Sequence, residues 1–257
     1  MLRIESHKNF MEHTLRRLRS LSKINKARSY LEIGVNTGRT FLNFDFSGDM
    51  YAVDPDFKFK LDDFKAQNRK FYACTSDDFF EAHDSNKSFD LVFLDGLHTY
   101  DQTLRDLLNC LVCSHKQTLF LVDDTVPSDQ FSEARDPLTA NQQRKKILGS
   151  DCRDLSWHGD TYKLLYYINI FCTKLKYATI MGSGNPQTVI WNDTLRSNKI
   201  PCIDLPYDEN YNENYLRHIT HHFYEIDLKW TYDNCPAIFH ETTEEKLFKY
   251  LDTLNFE

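Results

Sequence analysis

Short apolar runs alternate with stretches of helical spacing through the first two thirds of the chain. Each run is β-rich or continuously apolar, as are strands covered by helices on both faces. The predicted strands are Tyr30–Ile33, Met50–Asp54, Lys70–Ala73, Phe89–Asp95 and Thr118–Asp123. Strands that alternate with helices in this way predict βαβ units and a parallel sheet.

Helical spacing occurs before the first strand and between the strands. The predicted intervening helices are Arg39–Phe44, Phe59–Gln67, Thr75–His83 and Tyr100–Cys113. A further helix over Lys8–Ser22 carries a stripe of leucines and is expected to act as a lid or a packing helix.

The pattern changes after the fifth strand. Residues 124–151 show no regular periodicity and are expected to form an irregular lid over a site. A helix is predicted over Tyr162–Phe171. Two later runs, Leu175–Met181 and Gln187–Trp191, flank a Gly-Ser-Gly-Asn-Pro turn and predict an antiparallel hairpin.

The remaining chain is polar, with helices predicted over Asn212–Lys229 and Thr243–Leu254. We therefore predict a single domain, residues 1–257, with an N-terminal helix in 1–28, an α/β core in 29–192 and a helical appendage in 193–257. The core is expected to be a doubly wound, mostly parallel seven-stranded sheet, with helices on both faces and a C-terminal antiparallel hairpin.

Bulk composition excludes several classes of protein. A net charge of −7 gives no basic face for nucleic acid. No apolar run approaches the roughly 20 residues that span a bilayer, and the first residues lack the apolar core of a signal peptide. Seven cysteines, an odd number, fit reduced thiols, so we expect a cytoplasmic protein.

A glycine-bearing turn follows the first strand, with the sequence Glu32-Ile33-Gly34-Val35-Asn36-Thr37-Gly38. Glycine permits both the turn angles and the close approach of a ligand, and Asn tolerates positive φ better than other side-chain-bearing residues. Asp54 ends the second strand about twenty residues later, where an acid can accept both ribose hydroxyls of a nucleoside. The alternative for Asp54 is a turn residue before Pro55.

These features, with Ser76-Asp77-Asp78 after the third strand and the closing hairpin, resemble class I S-adenosylmethionine-dependent methyltransferases over residues 29–192. The resemblance implies that the turn, with Glu32, Gly34, Asn36 and Gly38, wraps the methionine part of the cofactor. It also implies that Asp54 binds the ribose and that Asp77 or Asp78 contacts the adenine amine, although one of the two could cap the following helix.

Titratable residues follow the fourth and fifth strands, where a parallel sheet binds its ligands. His98 is the candidate general base for a hydroxyl acceptor, against the alternative of a loop histidine bonded to backbone. Asp95 is expected to take part both in cofactor binding and in catalysis.

Asp95, Asp123 and Asp124 together could hold Mg²⁺. This set resembles that of metal-dependent sugar and small-molecule O-methyltransferases. The Leu-Asp-Gly-Leu-His-x-Tyr stretch, residues 94–100, also resembles a methyltransferase branch whose metal dependence is open.

Three further features favour structural interpretations. Trp157 and His158 could line an acceptor pocket, but Asp160 is as well explained as a helix cap. Three histidines, His218, His221 and His222, could chelate a metal ion, although a solvated helix face is the favoured explanation. Arg144, Lys145 and Lys146 could attract an anionic acceptor, although a charged loop usually faces water.

The leading hypothesis is therefore an S-adenosylmethionine-dependent enzyme that methylates oxygen on a small metabolite or sugar. One rival is a nucleotide-dependent oxidoreductase or hydrolase, disfavoured because the turn lacks G-x-G-x-x-G. A second is a non-catalytic ligand-binding or interaction module. The N-terminal leucine stripe and an aromatic-rich C-terminal segment leave a homodimer open.

Overall fold

The computed structural model describes residues 7–83, 87–182, 184–193 and 223–256. These residues form one eight-stranded sheet surrounded by seven α-helices, numbered here in chain order. The strands are β1 Ser29–Ile33, β2 Asp49–Val53, β3 Arg69–Tyr72, β4 Phe89–Leu94, β5 Ser114–Val122, β6 Leu175–Ile180, β7 Gln187–Asn192 and β8 Glu241–Thr242. The helices are α1 His7–Ile24, α2 Ser76–Ala82, α3 Tyr100–Val112, α4 Pro137–Leu148, α5 Lys163–Phe171, α6 Leu228–Asn234 and α7 Glu244–Leu251.

The strand order is β3-β2-β1-β4-β5-β7-β6-β8. Strands β1 to β5 pair in parallel, β7 runs antiparallel to both β5 and β6, and β8 pairs in parallel with β6. The chain proceeds outward from β1 through β2 to β3 and then returns to β4 on the other side of β1. This reversal creates a crevice outside the carboxyl ends of β1 and β4, which is where open α/β sheets bind ligands.

Both faces of the sheet are covered by hydrophobic cores. On one face α3 and α5 pack against the sheet through buried residues such as Leu107 and Leu165. On the other face α1 and α7 pack through residues such as Leu18, Leu21 and Leu247. The leucine stripe of the N-terminal helix is thus a packing surface against the sheet.

The predicted α/β class, the five parallel strands and the hairpin are confirmed. The sheet has eight strands where seven were predicted, because Glu241–Thr242 pairs with Thr179–Ile180. A two-residue strand has no detectable periodicity of its own.

Two predicted helices are wrong. The segment Arg39–Phe44 contains only a 3₁₀ turn, Phe41–Asn43, after which Phe44 is extended. The rings of Phe41 and Phe44 both pack around Tyr30, three positions apart, and this spacing is why the sequence suggested a helix. The segment Phe59–Gln67 contains only the 3₁₀ turn Leu61–Phe64, in which no residue is buried. A short helix without a buried face lacks the packing that would stabilise it.

The expectation of an irregular segment at residues 124–151 is also wrong, because α4 occupies Pro137–Leu148. The Asp136 side chain accepts a hydrogen bond from the Thr139 backbone N–H at 2.8 Å, and Pro137 opens the helix. This start is a recognisable capping signal. Helical periodicity is weak because Leu138, Ile147 and Leu148 are exposed.

The C-terminal predictions are only partly covered by the structure. Helix α7 confirms the second predicted helix, and Thr243 caps it by accepting from the Lys246 N–H. Most of the predicted helix Asn212–Lys229, and with it His218, His221 and His222, lies outside the described residues.

No helix among the described residues is both long enough and apolar enough to cross a bilayer.

Candidate active site

A cavity of about 520 Å³ opens at the carboxyl ends of β1, β4 and β5. Helix α1, the segment after α4 and the β6–β7 turn complete its walls. The lining residues are Thr14, Glu32, Gly34, Val35, Asn36, Thr37, Arg39, Thr40, Asp95, Gly96, His98, Asp123, Asp124, Ser156, Trp157, His158 and Asn185. The glycine turn and the predicted catalytic residues therefore share one cleft.

The glycine turn follows β1 and lies against the end of β4. Gly34 has a φ of +89°, and a Cβ added there would lie 2.0 Å from the carbonyl oxygen of Asp95. Only glycine meets both constraints. Asn36 has a φ of +46°, in agreement with the tolerance of Asn for the left-handed region. Gly38, at a φ of +75°, closes the turn against the Leu42 side chain and does not line the cavity.

Asp54 joins the glycine turn to the end of β2. Its carboxylate accepts the Asn36 N–H at 2.7 Å on one oxygen and the Asp56 N–H at 2.7 Å on the other. Asp54 is 8% exposed and lies beside the cavity, outside its lining. Asp54 therefore fixes the backbone of the glycine turn, and it lies at the end of β2, the position predicted for ribose binding.

Glu32 is buried at the base of the cavity, where its Oε2 accepts the Tyr30 hydroxyl at 2.6 Å. Burial raises the pKa of Glu32 to about 8, although the hydrogen bond from Tyr30 acts in the opposite direction. Near neutral pH this carboxyl group accordingly holds a proton more readily than an exposed glutamate.

Three aspartates crowd the ends of β4 and β5. Burial raises the pKa of Asp95 well above its usual range, and repulsion from Asp123 and Asp124 adds to the effect. Burial and Asp124 likewise raise the pKa of Asp123, whereas His98 lowers it. Asp124 has a φ of +55°, a left-handed backbone that Asp tolerates and that turns this residue into the cleft.

Two side-chain amides hold Asp123 in place. Its Oδ1 accepts from Asn185 Nδ2 at 2.7 Å, from Gln187 Nε2 at 3.0 Å and from the Asp124 N–H at 3.0 Å. Asn185 Nδ2 also donates to Asp124 Oδ1. The β6–β7 turn and the start of β7 therefore orient the acidic rim.

His98 lies between two of the aspartates. Its Nε2 is 3.4 Å from Asp124 Oδ2 and 3.7 Å from Asp95 Oδ1. The Trp157 ring packs edge-on against the imidazole, with centroids 5.4 Å apart. These contacts hold the imidazole in the wall of the cavity, beside the acidic rim.

His158 approaches the same rim from the other side. Its Nε2 is 3.7 Å from Asp124 Oδ1, and its Nδ1 is buried without a hydrogen-bond partner. A Cβ on Gly159 would lie 1.6 Å from the carbonyl oxygen of His98. That close backbone contact brings Trp157 and His158 into the cavity wall.

The predicted Mg²⁺ ligands lie together at the ends of β4 and β5. Carboxylates suit a hard cation, but Asp123 Oδ1 is already engaged by two amides and a backbone N–H. Over the described ranges, no three His, Cys, Asp or Glu side chains are grouped so that they could hold a metal ion. Asp95, Asp123 and Asp124 therefore do not fit a metal site in this arrangement.

Asp77 and Asp78 follow β3 and do not line the cavity. Thr75 caps α2 by accepting the Asp78 N–H, and its hydroxyl donates to the Asp78 carboxylate at 2.7 Å. Asp77 Oδ1 lies 3.3 Å from Gln102 Nε2. Neither aspartate is the capping residue of this helix, which was one of the two roles considered for them.

Asp160 does not cap the helix that follows it. Its Oδ1 accepts the Tyr100 N–H at 2.7 Å, so it binds the start of α3, while α5 begins without a side-chain cap. The sequence interpretation assigned the cap to the wrong helix because it considered only neighbours along the chain.

Arg144 is buried and cannot attract an anionic acceptor. Its guanidinium lies 3.1 Å from Asp129 Oδ1 and donates to the Ser156 carbonyl at 2.9 Å. Lys145 and Lys146 are exposed on α4 and do not line the cavity. Arg144 instead fastens α4 to the segment that carries Trp157.

Sequence reasoning missed three lining residues, Thr14, Arg39 and Asn185, and also Gln187, which binds the rim residue Asp123. Asn185 was noted only as a turn residue, and Gln187 only as a strand residue. Gln187 is fully buried at the first position of β7. A buried glutamine next to a strand-end aspartate is the signal that could have identified it, because buried amides require partners.

Comparisons with known proteins agree with this geometry. Residues 31–125 match the family model described as a methyltransferase domain. A structure assigned as an O-methyltransferase from Klebsiella pneumoniae is 16% identical, with 70% of this chain and 80% of that chain covered and a TM-score of 0.50. One assigned as a caffeoyl-CoA O-methyltransferase from Staphylococcus aureus is 15% identical, with 70% and 83% covered and a TM-score of 0.50. No curated protein sequence matches the chain.

The sheet order and the strand-end cleft define a Rossmann-like methyltransferase fold. Within that fold, residues 31–125 are similar to a methyltransferase domain.

Proposed function

We propose that the enzyme methylates an oxygen atom of a small acceptor, a sugar or another small metabolite, with His98 as the general base. The observation that carries the proposal is the position of His98 Nε2, within 3.4 to 3.7 Å of Asp124 and Asp95 in the same cleft as the glycine turn. An oxygen acceptor must lose a proton as it attacks the methyl group, and a positioned imidazole meets that need.

The cofactor is proposed to lie along the glycine turn. Its methionine part would contact Gly34, Asn36 and the carboxyl group of Glu32, within the turn that Gly38 closes. Its ribose would reach Asp54, and its adenine amine would extend toward Asp77 or Asp78. Asp95 would lie at the sulfonium end, because its backbone contacts Gly34 and its side chain faces His98.

The proton is proposed to pass from the acceptor hydroxyl to His98 Nε2 while the oxygen attacks the methyl carbon in line with the departing sulfur. Asp124, 3.4 Å from Nε2, would stabilise the imidazolium that forms. Trp157, packed against the imidazole, would limit its rotation.

The charge of the cleft favours an uncharged or cationic acceptor. Its lining contains four carboxyl groups and one guanidinium, that of Arg39. Arg144, the other candidate for binding an anion, is sequestered by Asp129. Because Arg39 is the one Lys or Arg side chain among the lining residues, phosphorylated or carboxylated acceptors would lack cationic partners there and are disfavoured.

Mg²⁺ stays a prediction from the sequence. An ion held by Asp95, Asp123 and Asp124 would lower the pKa of an acceptor hydroxyl, but the arrangement of those carboxylates supports a mechanism in which no step passes through a metal. A cytoplasmic location and a homodimer also stay predictions.

Calorimetric titration of the purified protein with S-adenosylhomocysteine, with NAD as the comparison, tests the cofactor assignment. We expect binding of the first and none of the second. A panel of sugars, catechols and amines with labelled S-adenosylmethionine then tests the acceptor, with product NMR to identify the methylated atom. Methylation confined to nitrogen would overturn the oxygen assignment, and cofactor binding without transfer to any acceptor would favour a non-catalytic module.

A further inference from the structure

Arg17 of α1 is a fully buried cation that reaches the active-site side of the β6–β7 hairpin. Its Nη1 donates to Gln187 Oε1 at 2.7 Å and to the Asn185 carbonyl at 2.6 Å. Its Nε donates to Glu244 Oε2 of α7 at 3.2 Å. A guanidinium has donors in fixed directions and no acceptor, so these contacts determine how its partners are oriented.

The contact with Arg17 decides which way the Gln187 amide faces. Because Oε1 points at the guanidinium, Nε2 points the other way and donates to Thr14 Oγ1 at 2.9 Å and to Asp123 Oδ1 at 3.0 Å. The opposite amide orientation would place Nε2 against the cation and Oε1 against the carboxylate. Both contacts would then be repulsive.

Arg17 acts on the second donor to Asp123 in a similar way. It holds the backbone carbonyl of Asn185, whose side-chain Nδ2 donates to Asp123 Oδ1 at 2.7 Å and also to Asp124. One buried side chain of the N-terminal helix therefore contacts both residues whose amides hold the acidic rim, Gln187 through its side chain and Asn185 through its backbone.

We propose that Arg17 is a positioning residue of the active site, which acts through Gln187 and Asn185 to hold the Asp123 carboxylate toward the sulfonium of the cofactor. The inference rests on the proposed placement of S-adenosylmethionine in this cleft. It makes α1 part of the catalytic apparatus as well as a packing helix.

The competing explanation is that Arg17 only fastens α1 to α7. Arg16 provides a matched control, because its Nε also binds Glu244, at 2.6 Å to Oε1, from a position where its side chain is 49% exposed. Arg16 thus shares the helix-to-helix ion pair while lying on the solvent side of it. A purely structural role would give Arg16 and Arg17 variants similar behaviour.

The test compares the dissociation constants of S-adenosylmethionine and S-adenosylhomocysteine, since these ligands differ by the methyl group and its positive charge. Calorimetry would be run on the wild type, Arg17→Met, Gln187→Met, the double variant and Arg16→Met. We expect Arg17→Met and Gln187→Met each to weaken S-adenosylmethionine relative to S-adenosylhomocysteine by about fivefold or more. The double variant should lose no more than the larger single effect, because both substitutions act on one interaction chain.

The direction of the change separates positioning from simple electrostatics. Removing a nearby cation would by itself strengthen binding of a cationic ligand, whereas a displaced Asp123 carboxylate weakens it. Arg17→Lys, which keeps the charge and a donor, should recover part of the preference for S-adenosylmethionine over S-adenosylhomocysteine. Arg16→Met should leave the ratio of the two constants within about twofold of wild type.

The proposal would be overturned if Arg17→Met left the ratio of the two dissociation constants unchanged. It would also be overturned if Arg16→Met changed that ratio as much as Arg17→Met does. If Arg17→Met fails to fold, Gln187→Met and Thr14→Val carry the test. The first removes the amide between Arg17 and Asp123, and the second removes another partner of that amide; neither removes a charge. A wild-type protein that binds neither ligand would refute the proposed function itself. Wild-type binding with an unchanged ratio in the variants would refute only the role of Arg17.

Discussion

The two halves of the cleft are built in different ways. The half proposed to bind the cofactor, the cofactor half, consists of the glycine turn after β1 and the acid after β2. Its geometry depends on backbone atoms: the positive φ of Gly34 and two N–H groups bound to Asp54. The half proposed to bind the acceptor, the acceptor half, consists of side chains from β4, β5, the segment after α4, the β6–β7 turn and α1. Contacts between distant parts of the chain join them.

This difference determines what each half tolerates. Backbone geometry depends on the residue type at a few positions, so a single added methyl group can abolish it. A side-chain network has several partners for each group, so the loss of one contact shifts the arrangement without removing it. Substitutions in the two halves should therefore differ in the size of their effects.

The largest effect is expected for Gly34→Ala in the cofactor half. The new Cβ would lie 2.0 Å from the carbonyl oxygen of Asp95, and the φ of +89° is strained for alanine. Urea unfolding should show a loss of stability on the order of 4 kcal/mol, and S-adenosylhomocysteine binding should be lost. Gly149→Ala is the control, because its φ is +101° but nothing lies within 4 Å of the added Cβ. If the two variants lose equal stability, the close approach to Asp95 is not the cause.

His98→Ala should have the next largest effect, on turnover alone. Loss of a general base typically costs about 10²- to 10⁴-fold in rate, whereas the cofactor half of the cleft would remain intact. Steady-state kinetics with the acceptor identified by the panel, together with S-adenosylhomocysteine titration, would measure both. His115→Ala is a matched control, since His115 pairs with Asp90 and does not line the cavity. Full activity in His98→Ala would remove the residue from the mechanism.

The same difference explains how much of the site could be predicted from sequence. Glu32, Gly34, Asn36 and Gly38 lie on one short stretch whose residue types report its backbone geometry. The strand-end positions of Asp95, His98 and Asp123 follow from the topology of a parallel sheet. These residues could therefore be placed before any contact was known.

The residues that were missed depend on contacts between distant segments. Thr14 and Gln187 are 173 positions apart and meet only because α1 packs beside β7. Asp160 binds the start of α3, which is 60 positions earlier in the chain. Local pattern carries no information on such pairs, and helix α4 was missed for a related reason, because its exposed leucines hide its periodicity.

Asp54→Asn tests the connection between the turn and β2. An asparagine keeps one acceptor oxygen but replaces the other by an amide donor, so one of the two backbone N–H groups loses its partner. Hydrogen bonds to a charged group contribute about 1.5 to 3 kcal/mol, so affinity for S-adenosylhomocysteine should fall by roughly tenfold or more. Asp56→Asn is the control, since Asp56 pairs with Lys58 on the exposed surface. Equal losses in the two variants would contradict a special role for Asp54.

Glu32 predicts a dependence of stability on pH. Its pKa rises from 4.5 to about 8 because of burial, so the folded protein keeps a proton that the unfolded chain releases. The contribution of this proton to stability is complete below about pH 4.5 and is lost as the pH rises toward 8, by up to about 1.4 kcal/mol per pH unit. Urea unfolding at several pH values should show this slope in the wild type and a flatter curve in Glu32→Gln.

Tyr30→Phe sharpens that measurement. The hydroxyl of Tyr30 lowers the pKa of Glu32. Its removal should therefore raise the upper pH limit of the range over which stability falls. An unchanged range in Tyr30→Phe would mean that the hydrogen bond does not act on the titration of Glu32.

The smallest effect is expected for removal of metal ions, which probes the acceptor half. Asp123 Oδ1 already accepts from Asn185 and Gln187, and His98 lies between Asp95 and Asp124, so the negative charge of the rim has partners within the protein. Turnover should stay within about twofold after exhaustive chelation and after addition of Mg²⁺, a change of less than about 0.5 kcal/mol. Loss of activity that Mg²⁺ restores would show that the amides release Asp123 to a metal during turnover, and the mechanism would then begin from an ion bound by these three carboxylates.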